Sequence, residues 1–516
     1  MSASDPSPSH SDAAVIDVGS NSVRLVLYRL DGRAIWTVYN EKVLAGLGRG
    51  LAAGGRLDPA GVETAIVALR RFKALIDASR PPQVFVAATA AVRDALDGPA
   101  FGDRVAAETG LTLRVLSGGE EAYFAALGVL AGAPRAEGLV GDLGGASLEL
   151  TPLTDGAAGR GVTLPLGPFS LPDNGRFEPE RVDAVVRRHL LPLPARYHTH
   201  TLNAVGGAWR NFALLHMRLS GYPVEIVHQY EMGRNDALEA ARFVRQQSRG
   251  SLERIEGISR RRVEALPHAA VVLEGLIEHL GLQRVVMSAY GLREGLLLDA
   301  MAADVRRRDP LIEGCAALGA RYAVAESLGA ALEAWLAPAF ASLPALFGDR
   351  DGVLLAAAAR LAELGAQLHP DHRAQLIFDQ VLRAPISGMN HAERVFLACA
   401  AYARHTAGGT LPEPATVARL LSPDRVLRAR ALGAALRLGC DISGRSPQLL
   451  THARLEFRPN VVALRADDGW VETLLGEQTA KRAATLAGLL GRGVKLRGRR
   501  PKGSSSETEA EMAETF

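Results

Sequence analysis

Apolar and polar positions alternate from the start of the chain. AAVIDVG reads as a buried strand, and SVRLVLYRL sets Val23, Leu25 and Leu27 against Arg24, Val26 and Tyr28, the period-two pattern of a second strand. Asp31-Gly32 is a hairpin turn signal, and RAIWTVYN supplies a third strand. Asp58-Pro59 predicts a helix running to about Ala78, with Pro tolerated at its first position. QVFVAAT and LTLRVL read as short strands. Ser117, with Glu120 three residues on, is a capping box that opens a helix reaching about Leu130. This alternation predicts an α/β architecture over roughly the first 130 residues.

The opening pattern then returns. GLVGDLGGASLELTPL repeats AAVIDVGSNSVRLVLY: an apolar strand ends near Asp, a Gly-rich turn follows, then a second strand. Asp17, Gly19 and Ser22 reappear as Asp142, Gly144 and Ser147, each 125 residues further on. The constant offset points to a duplicated domain facing itself across a cleft. From about Met301 strand signals nearly vanish and Ala/Leu/Arg helices dominate to about Pro447. LEFRPNVVALRADDG follows as a short mixed segment, with alternation over Val461 to Leu464. The organisation expected is a disordered leader over 1–12, α/β domains over 13–131 and 132–300, and a helical domain over 301–447. A small mixed segment over 448–503 and a disordered acidic tail over 504–516 complete it.

Length and composition sharpen this picture. The chain has 516 residues, so about 150 residues per domain implies three or four units. Apolar residues make up 48% and charged ones 22%, enough for each unit to bury a core. A net charge of +3 creates no global field, so neither nucleic acid nor a membrane is expected as a partner. Only five of the 59 basic side chains are lysine, a bias that reads mainly as a GC-rich genome. Cys315, Cys399 and Cys440 stand far apart, which excludes a disulfide scaffold and argues against zinc. The start lacks the pattern of a signal peptide and no long apolar run occurs, so a cytoplasmic location is expected.

The two Gly/Ser turns carry the candidate chemistry. A turn directly after a strand leaves backbone N–H groups pointing at one place, which suits phosphate oxygens. Gly19-Ser20-Asn21-Ser22 and Gly144-Gly145-Ala146-Ser147 are two such cradles, and two opposed cradles fit a phosphate chain. The plainer alternative is a pair of tight hairpins that need Gly for positive φ. A carboxylate beside a cradle is useful when a cation bridges it to phosphate. Asp142 and Glu149, with Asp17 opposite, are therefore the expected Mg²⁺ ligands.

At this point the chain resembles the exopolyphosphatase and guanosine pentaphosphate phosphohydrolase (Ppx/GppA) family. The segments that carry the resemblance are IDVGSNSVRLVLY, ATAAVRDA, LSGGEEAYFAALGV, GLVGDLGGASLEL, NAVGGAWRN and MSAYGLREGLL, in that order over roughly residues 13–300. The resemblance implies duplicated actin-like (ASKHA, ribonuclease H-like) domains, followed by an all-α, HD-like C-terminal half. It implies Glu121 as catalytic base, leaving Glu120 to the capping box, and Arg24, Arg93 and Arg293 as phosphate clamps beside the two loops. Two departures stand out. DLGGASLE replaces the usual DIGGGSTE, placing Ala146 and Leu148 where Gly and Thr are usual, and Tyr123 stands where Arg is frequent. His369, His372, His391 and His405 invite a metal reading, but no His-Asp dipeptide occurs among them, so they are expected to be plain polar histidines.

The first reading is a Mg²⁺-dependent exopolyphosphatase acting on inorganic polyphosphate. Hydrolysis of the 5′-terminal phosphate of guanosine pentaphosphate (pppGpp) is the second. A kinase on the same fold lacks any sign of an adenosine pocket, and a non-enzymic alarmone sensor would not need Glu121. A homodimer is the expected assembly. Arg306, Arg307 and Arg308, then Arg425, Arg428 and Arg430, then Arg497, Arg499, Arg500 and Lys502 are expected to form a basic track for a long anion.

Overall fold

The computed structural model describes residues 10–498 apart from 172–176, 256–262, 264, 321 and 323–326. The opening alternation becomes an antiparallel meander of β1 (His10–Val18), β2 (Val23–Asp31) and β3 (Ala34–Val43). Its β2–β3 turn has Gly32 at φ 55°, as the Asp-Gly signal requires. β1 starts three residues earlier than the expected leader allows. His10, Ser11 and Asp12 extend the ladder against Asp31, Leu30 and Arg29, and Arg29 pairs with Asp12 at 3.2 Å. Residues 1–9 of that leader, the acidic tail, and the expected track residues Arg499, Arg500 and Lys502 lie outside the described residues.

The Asp58 carboxylate accepts the Gly61 N–H at 2.7 Å and caps the helix Pro59–Ser79, which covers one face of the sheet. β4 (Gln83–Ala88) runs parallel to β1, and β5 (Arg114–Val115) parallel to β4, giving the order β3-β2-β1-β4-β5. LTLRVL thus contracts to a two-residue edge strand whose side chains are exposed. The capping box forms as expected: the Ser117 hydroxyl accepts the Glu120 N–H at 3.2 Å, and Glu120 Oε2 accepts the Ser117 N–H at 2.9 Å. It opens the helix Gly118–Gly132.

A second sheet repeats the plan. β6 (Gly138–Leu143) and β7 (Leu148–Thr154) form the antiparallel pair, and β10 (Thr201–Val205) and β12 (Arg284–Met287) extend it in parallel. β8 (Ala157–Ala158) and β9 (Val162–Leu164) pair with β7, while β11 (Glu231–Gly233) closes the far edge against β12. The series β2-β1-β4-β5 is matched by β7-β6-β10-β12, the duplicated actin-like arrangement. Each half has its own apolar core, one around Phe72 and Leu69 and the other around Trp209 and Phe212. A third core is shared: Val15, Val26 and Tyr28 from the first half meet Val140, Val205 and Leu296 from the second. Within it the helices Gly118–Gly132 and Leu292–Ala300 touch backbone to backbone. A Cβ on Gly128 would lie 2.0 Å from the Gly291 oxygen, and one on Gly295 would lie 1.8 Å from that of Phe124.

The chain divides into two compact units: residues up to Ala317 together with Arg383–His391, and Leu318–Leu382 together with Ala392 onward. Both halves of the duplication fall in the first unit, and it extends past the expected boundary at 300. Cys315 and Leu311 are fully buried there. Gly314 packs so close to Ile386 that a Cβ would lie 2.8 Å away, and the Gly388 N–H donates to the Gly132 oxygen at 2.8 Å. Helical composition continues across this boundary, so periodicity alone does not reveal it.

The second unit is helix-rich, with Leu328–Phe340, Arg350–Arg360 and Pro423–Ile442 among its helices. It ends in a small sheet, β13 (Ala453–Arg458), β14 (Val461–Ala466) and β15 (Gly493–Gly498), in that order. Several of the expected track arginines have structural work here. Arg425 donates to the Leu346 oxygen at 2.9 Å and lies over the Phe347 ring, and Arg428 donates to the Pro344 oxygen at 3.0 Å. In the first unit, Arg308 pairs with Asp304 and Glu313. Among the described residues no helix is long and apolar enough to cross a membrane.

Candidate active site

The two turns share one backbone pattern. The Gly19 N–H donates to the Ser22 oxygen at 3.0 Å, and the Gly144 N–H to the Ser147 oxygen at 2.9 Å. None of Gly19, Gly144 and Gly145 adopts positive φ, so the tight-hairpin explanation for these glycines does not hold. Close approach explains Gly145 instead. A Cβ there would lie 3.1 Å from ring carbons of Phe169 and 3.4 Å from Ser20 Cβ on the facing loop. The two loops thus meet across the cleft.

Each loop is braced from behind by a second glycine-bearing segment. Gly48 and Gly46 N–H groups donate to the oxygens of Ser20 and Asn21 at 2.8 and 3.1 Å. Phe169 and Gly167 N–H groups donate to those of Gly145 and Ala146 at 2.8 and 3.1 Å. A trans peptide points its N–H opposite to its carbonyl. Tying the carbonyls back therefore turns the N–H groups of Asn21, Ser22, Ala146 and Ser147 away from the braces, as anion binding requires. Neither brace carries a periodic signal, and sequence reasoning missed both.

Side-chain charge separates the two hairpins. Asp17 stands across the β1–β2 ladder from Arg24, and Asp142 stands across β6–β7 from Glu149. Arg24 and Glu149 are also 125 residues apart, so they occupy equivalent positions in the duplication. Cross-strand partners share a face of the sheet. The first hairpin therefore sets an acid and a base across from one another, while the second sets two acids side by side.

That placement governs the protonation of these groups. Burial pushes the Asp142 carboxyl up to about 7, Glu121 and Asp17 add to the rise, and Arg293 and Arg210 oppose it. Glu149, only 2% exposed, is pushed well above the usual carboxylate range by burial, then by Glu121 and Asp142. A Ser147 hydrogen bond holds it back, but its Oε1 has no hydrogen-bond partner. A buried, unpartnered carboxylate oxygen beside a second acid is costly unless a cation completes it. Mg²⁺ is commonly held by one or two carboxylates together with water and substrate phosphate oxygens, and this pair fits that demand. Asp17 is placed differently: Arg293 Nε lies 3.9 Å from its Oδ2. Among the described residues no three acid, His or Cys side chains form a ready cage for an ion. Asp142 and Glu149 thus share the second hairpin, while Asp17, the third expected ligand, lies on the first beside Arg293.

Glu121 lies in the first turn of Gly118–Gly132 and is buried. Burial raises its pKa, an effect opposed by the Arg93 guanidinium at 2.9 Å and reinforced by Asp17 and Asp94. Arg93 also donates to Asp94 and to the Leu116 oxygen, so its guanidinium is fixed against Glu121. Glu120, held down to about 2 by its bonds to the Ser117 backbone, Arg114 and the Ser117 hydroxyl, serves the helix cap. Arg24 donates to Asn40 at 2.8 Å. Its pKa is pressed down to about 10 by burial, then by Arg293 and Arg210. Crowded guanidinium groups that repel one another are a site for an anion. Arg210 was not singled out from sequence, although it sits three residues after Gly207 within NAVGGAWRN. Gly206 itself, at φ 115°, allows close approach to the end of β6: a Cβ would lie 2.5 Å from the Leu143 oxygen.

The four histidines of the C-terminal half are not brought together. His391 Nδ1 lies 2.8 Å from the Tyr222 hydroxyl and its Nε2 3.0 Å from the His228 oxygen, within the first unit. His405 Nε2 meets the Leu364 oxygen at 2.9 Å, and burial with Arg404 nearby presses its pKa down to about 4. His369 and His372 are exposed neighbours.

A family model described as the Ppx/GppA phosphatase family matches residues 26–304, and one described as exopolyphosphatase, C-terminal, matches residues 315–497. Among solved structures the chain is similar to a Ppx/GppA family member from Aquifex aeolicus, with 24% identity and a TM-score of 0.50 over 56% of this chain and 97% of that one. It is also similar to an exopolyphosphatase from Cytophaga hutchinsonii, with 20% identity and a TM-score of 0.51 over 56% of this chain and 96% of that one. At these identities the likeness to solved structures speaks for the fold.

Proposed function

As the chain belongs to the Ppx/GppA phosphatase family, matched over more than half its length, we propose that it hydrolyses the terminal phosphoanhydride of inorganic polyphosphate. The observation that carries this reading is the pair of braced loops facing one another beside two adjacent acids. Two opposed sets of N–H groups suit two consecutive phosphates, and Arg24, Arg210 and Arg293 supply the countercharge that a chain of phosphates needs. Glu121, held in one orientation by Arg93, positions a water in line with the terminal phosphorus and takes its proton. The water oxygen bonds to phosphorus as the bridging P–O bond breaks, which yields orthophosphate and a chain one unit shorter. Asp142 and Glu149 would hold Mg²⁺, which when bound neutralises charge on the phosphate oxygens. The reaction is expected in the cytoplasm, on an enzyme that acts as a homodimer.

One observation favours a second reading, removal of the 5′-terminal phosphate of pppGpp. Phe169 is exposed, and its ring lies against Gly145 at the second loop, where it offers a face to a nucleobase. Phosphate release from long polyphosphate and from pppGpp, each with and without Mg²⁺, tests both readings. Mg²⁺-dependent release from polyphosphate supports the first. Release from pppGpp alone, lost in Phe169→Ala, replaces it with the second. No release from either refutes the enzyme.

A further inference from the structure

One buried polar contact joins the two halves of the first unit at the residue that follows Arg293. Tyr28, on β2 and 2% exposed, donates its hydroxyl to Glu294 Oε1 at 2.6 Å. Glu294 is 5% exposed and sits in the first turn of Leu292–Ala300, where its other oxygen accepts the Gly291 N–H at 2.9 Å. One carboxylate therefore caps the helix and receives the hydroxyl of the opposite half. Arg293 lies between the cap and Glu294, with its Nε against Asp17 of β1.

β2 holds Tyr28 in regular register: it faces Ala13 of β1, and Val26, Tyr28 and Leu30 line the shared core together. The register slip beside it, where Leu27 faces Tyr39 and Tyr28 faces Thr37, puts the extra residue, Val38, on β3. Gly291 and Gly295 meanwhile press against the helix that carries Glu121, at Gly128 and Phe124. The position of Leu292–Ala300 thus bears on Arg293 and on the base helix together.

We propose that Tyr28 and Glu294 are positioning residues: the Tyr28 hydroxyl locks the Glu294 cap, which sets Arg293 against the anion held between the two loops. The inference rests on the functional reading above, in that Arg293 must meet the bound phosphates.

Tripolyphosphate binding, measured by calorimetry in EDTA on the full chain, tests it without turnover. Tyr28→Phe should weaken binding about tenfold in the wild-type background, the scale of a hydrogen bond to a charged group. In an Arg293→Ala background the same change should alter binding less than about twofold, because effects that act through one residue are not additive. Glu294→Gln keeps the acceptor for Gly291 and provides the second cycle if Tyr28→Phe does not fold. A lowered thermal midpoint with unchanged binding would make the contact merely structural. An equal loss in both backgrounds would show that it does not act through Arg293. Wild-type protein that binds no tripolyphosphate in EDTA and releases no phosphate from polyphosphate with Mg²⁺ would sink the functional reading itself, a result distinct from either. Should binding need Mg²⁺, the same cycle is read with Mg²⁺ in a Glu121→Gln background.

Discussion

In the first hairpin Asp17 faces Arg24 across the ladder, whereas in the second Asp142 faces Glu149 at the equivalent place. The backbones match down to the Gly-to-Ser hydrogen bond that closes each turn, and both loops are braced from behind. The difference is one of charge. Asp17 feels burial too, but Arg293 and then Arg24 oppose the rise that burial causes, whereas Glu149 is pushed further by Glu121 and Asp142 and keeps an unpartnered oxygen, an arrangement that a cation would relieve. The duplicated hairpins thus differ in charge at one position, and on the reading proposed above the second is the place for Mg²⁺. Glu121 belongs to neither hairpin. It comes from the helix of the shared core and adds to the charge on the second pair.

The largest expected effect removes that outside acid. Glu121→Gln keeps shape and hydrogen bonding but cannot take a proton, so phosphate release should fall on the order of 10²–10⁴-fold with polyphosphate binding kept. Wild-type turnover in this variant would remove Glu121 from the chemistry. Next, Glu149→Arg turns the second hairpin into a copy of the first. Turnover should drop on the order of 10²-fold, as expected when a charge that serves the transition state is lost, and added Mg²⁺ should not restore it. Recovery at high Mg²⁺ would show that the paired acids are not what distinguishes the hairpins.

A third prediction separates the braces from the cradles. A Cβ on Gly167 would lie 2.3–2.5 Å from backbone atoms of Ala146 and Ser147, whereas one on Gly19 meets nothing nearer than 3.4 Å. Gly167→Ala should therefore destabilise the protein by about 1–3 kcal/mol. Gly19→Ala should leave the thermal midpoint nearly unchanged and weaken substrate binding, since its methyl would project toward the Asp17 carboxylate and the Thr89 hydroxyl. Equal loss of stability in both variants would contradict the division of labour.

The smallest effect at neutral pH carries the same argument, a buried group without an opposite charge, into the second unit. His405 is held neutral, with its pKa lowered to about 4 by burial and by Arg404. The unfolded chain therefore binds an extra proton between the ordinary value of about 6.5 and about 4. Stability is full above that window and falls as the pH drops through it, by at most about 3 kcal/mol at 1.36 kcal/mol per pKa unit. His405→Asn should flatten the decline of the thermal midpoint over that range, and an unchanged slope would assign it to other groups.

Much of this arrangement is legible in the sequence. The constant offset from Asp17 to Asp142 exposes the duplication, and Ser117 with Glu120 fixes the start of the base helix. What escaped was less visible for physical reasons. Arg24 and Glu149 share the offset but differ in identity, so a search for repeated residues passes over the position that matters most. The braces at 46–48 and 167–169 act through backbone groups brought close by folding, which no periodicity records. Arg93 and Asp17 carry the right chemistry, but their partners, Glu121 and Arg293, are assigned only by the tertiary structure.

The most direct test is a Mg²⁺ titration of phosphate release from polyphosphate in Glu149→Gln and Arg24→Gln, compared with wild type. The account predicts that Glu149→Gln shifts the Mg²⁺ requirement upward by about tenfold or more, because a neutral amide is a poor partner for a hard cation. Arg24→Gln should keep the wild-type Mg²⁺ requirement and raise the KM for polyphosphate. Superimposable Mg²⁺ curves for wild type and Glu149→Gln, or a shift confined to Arg24→Gln, would contradict it.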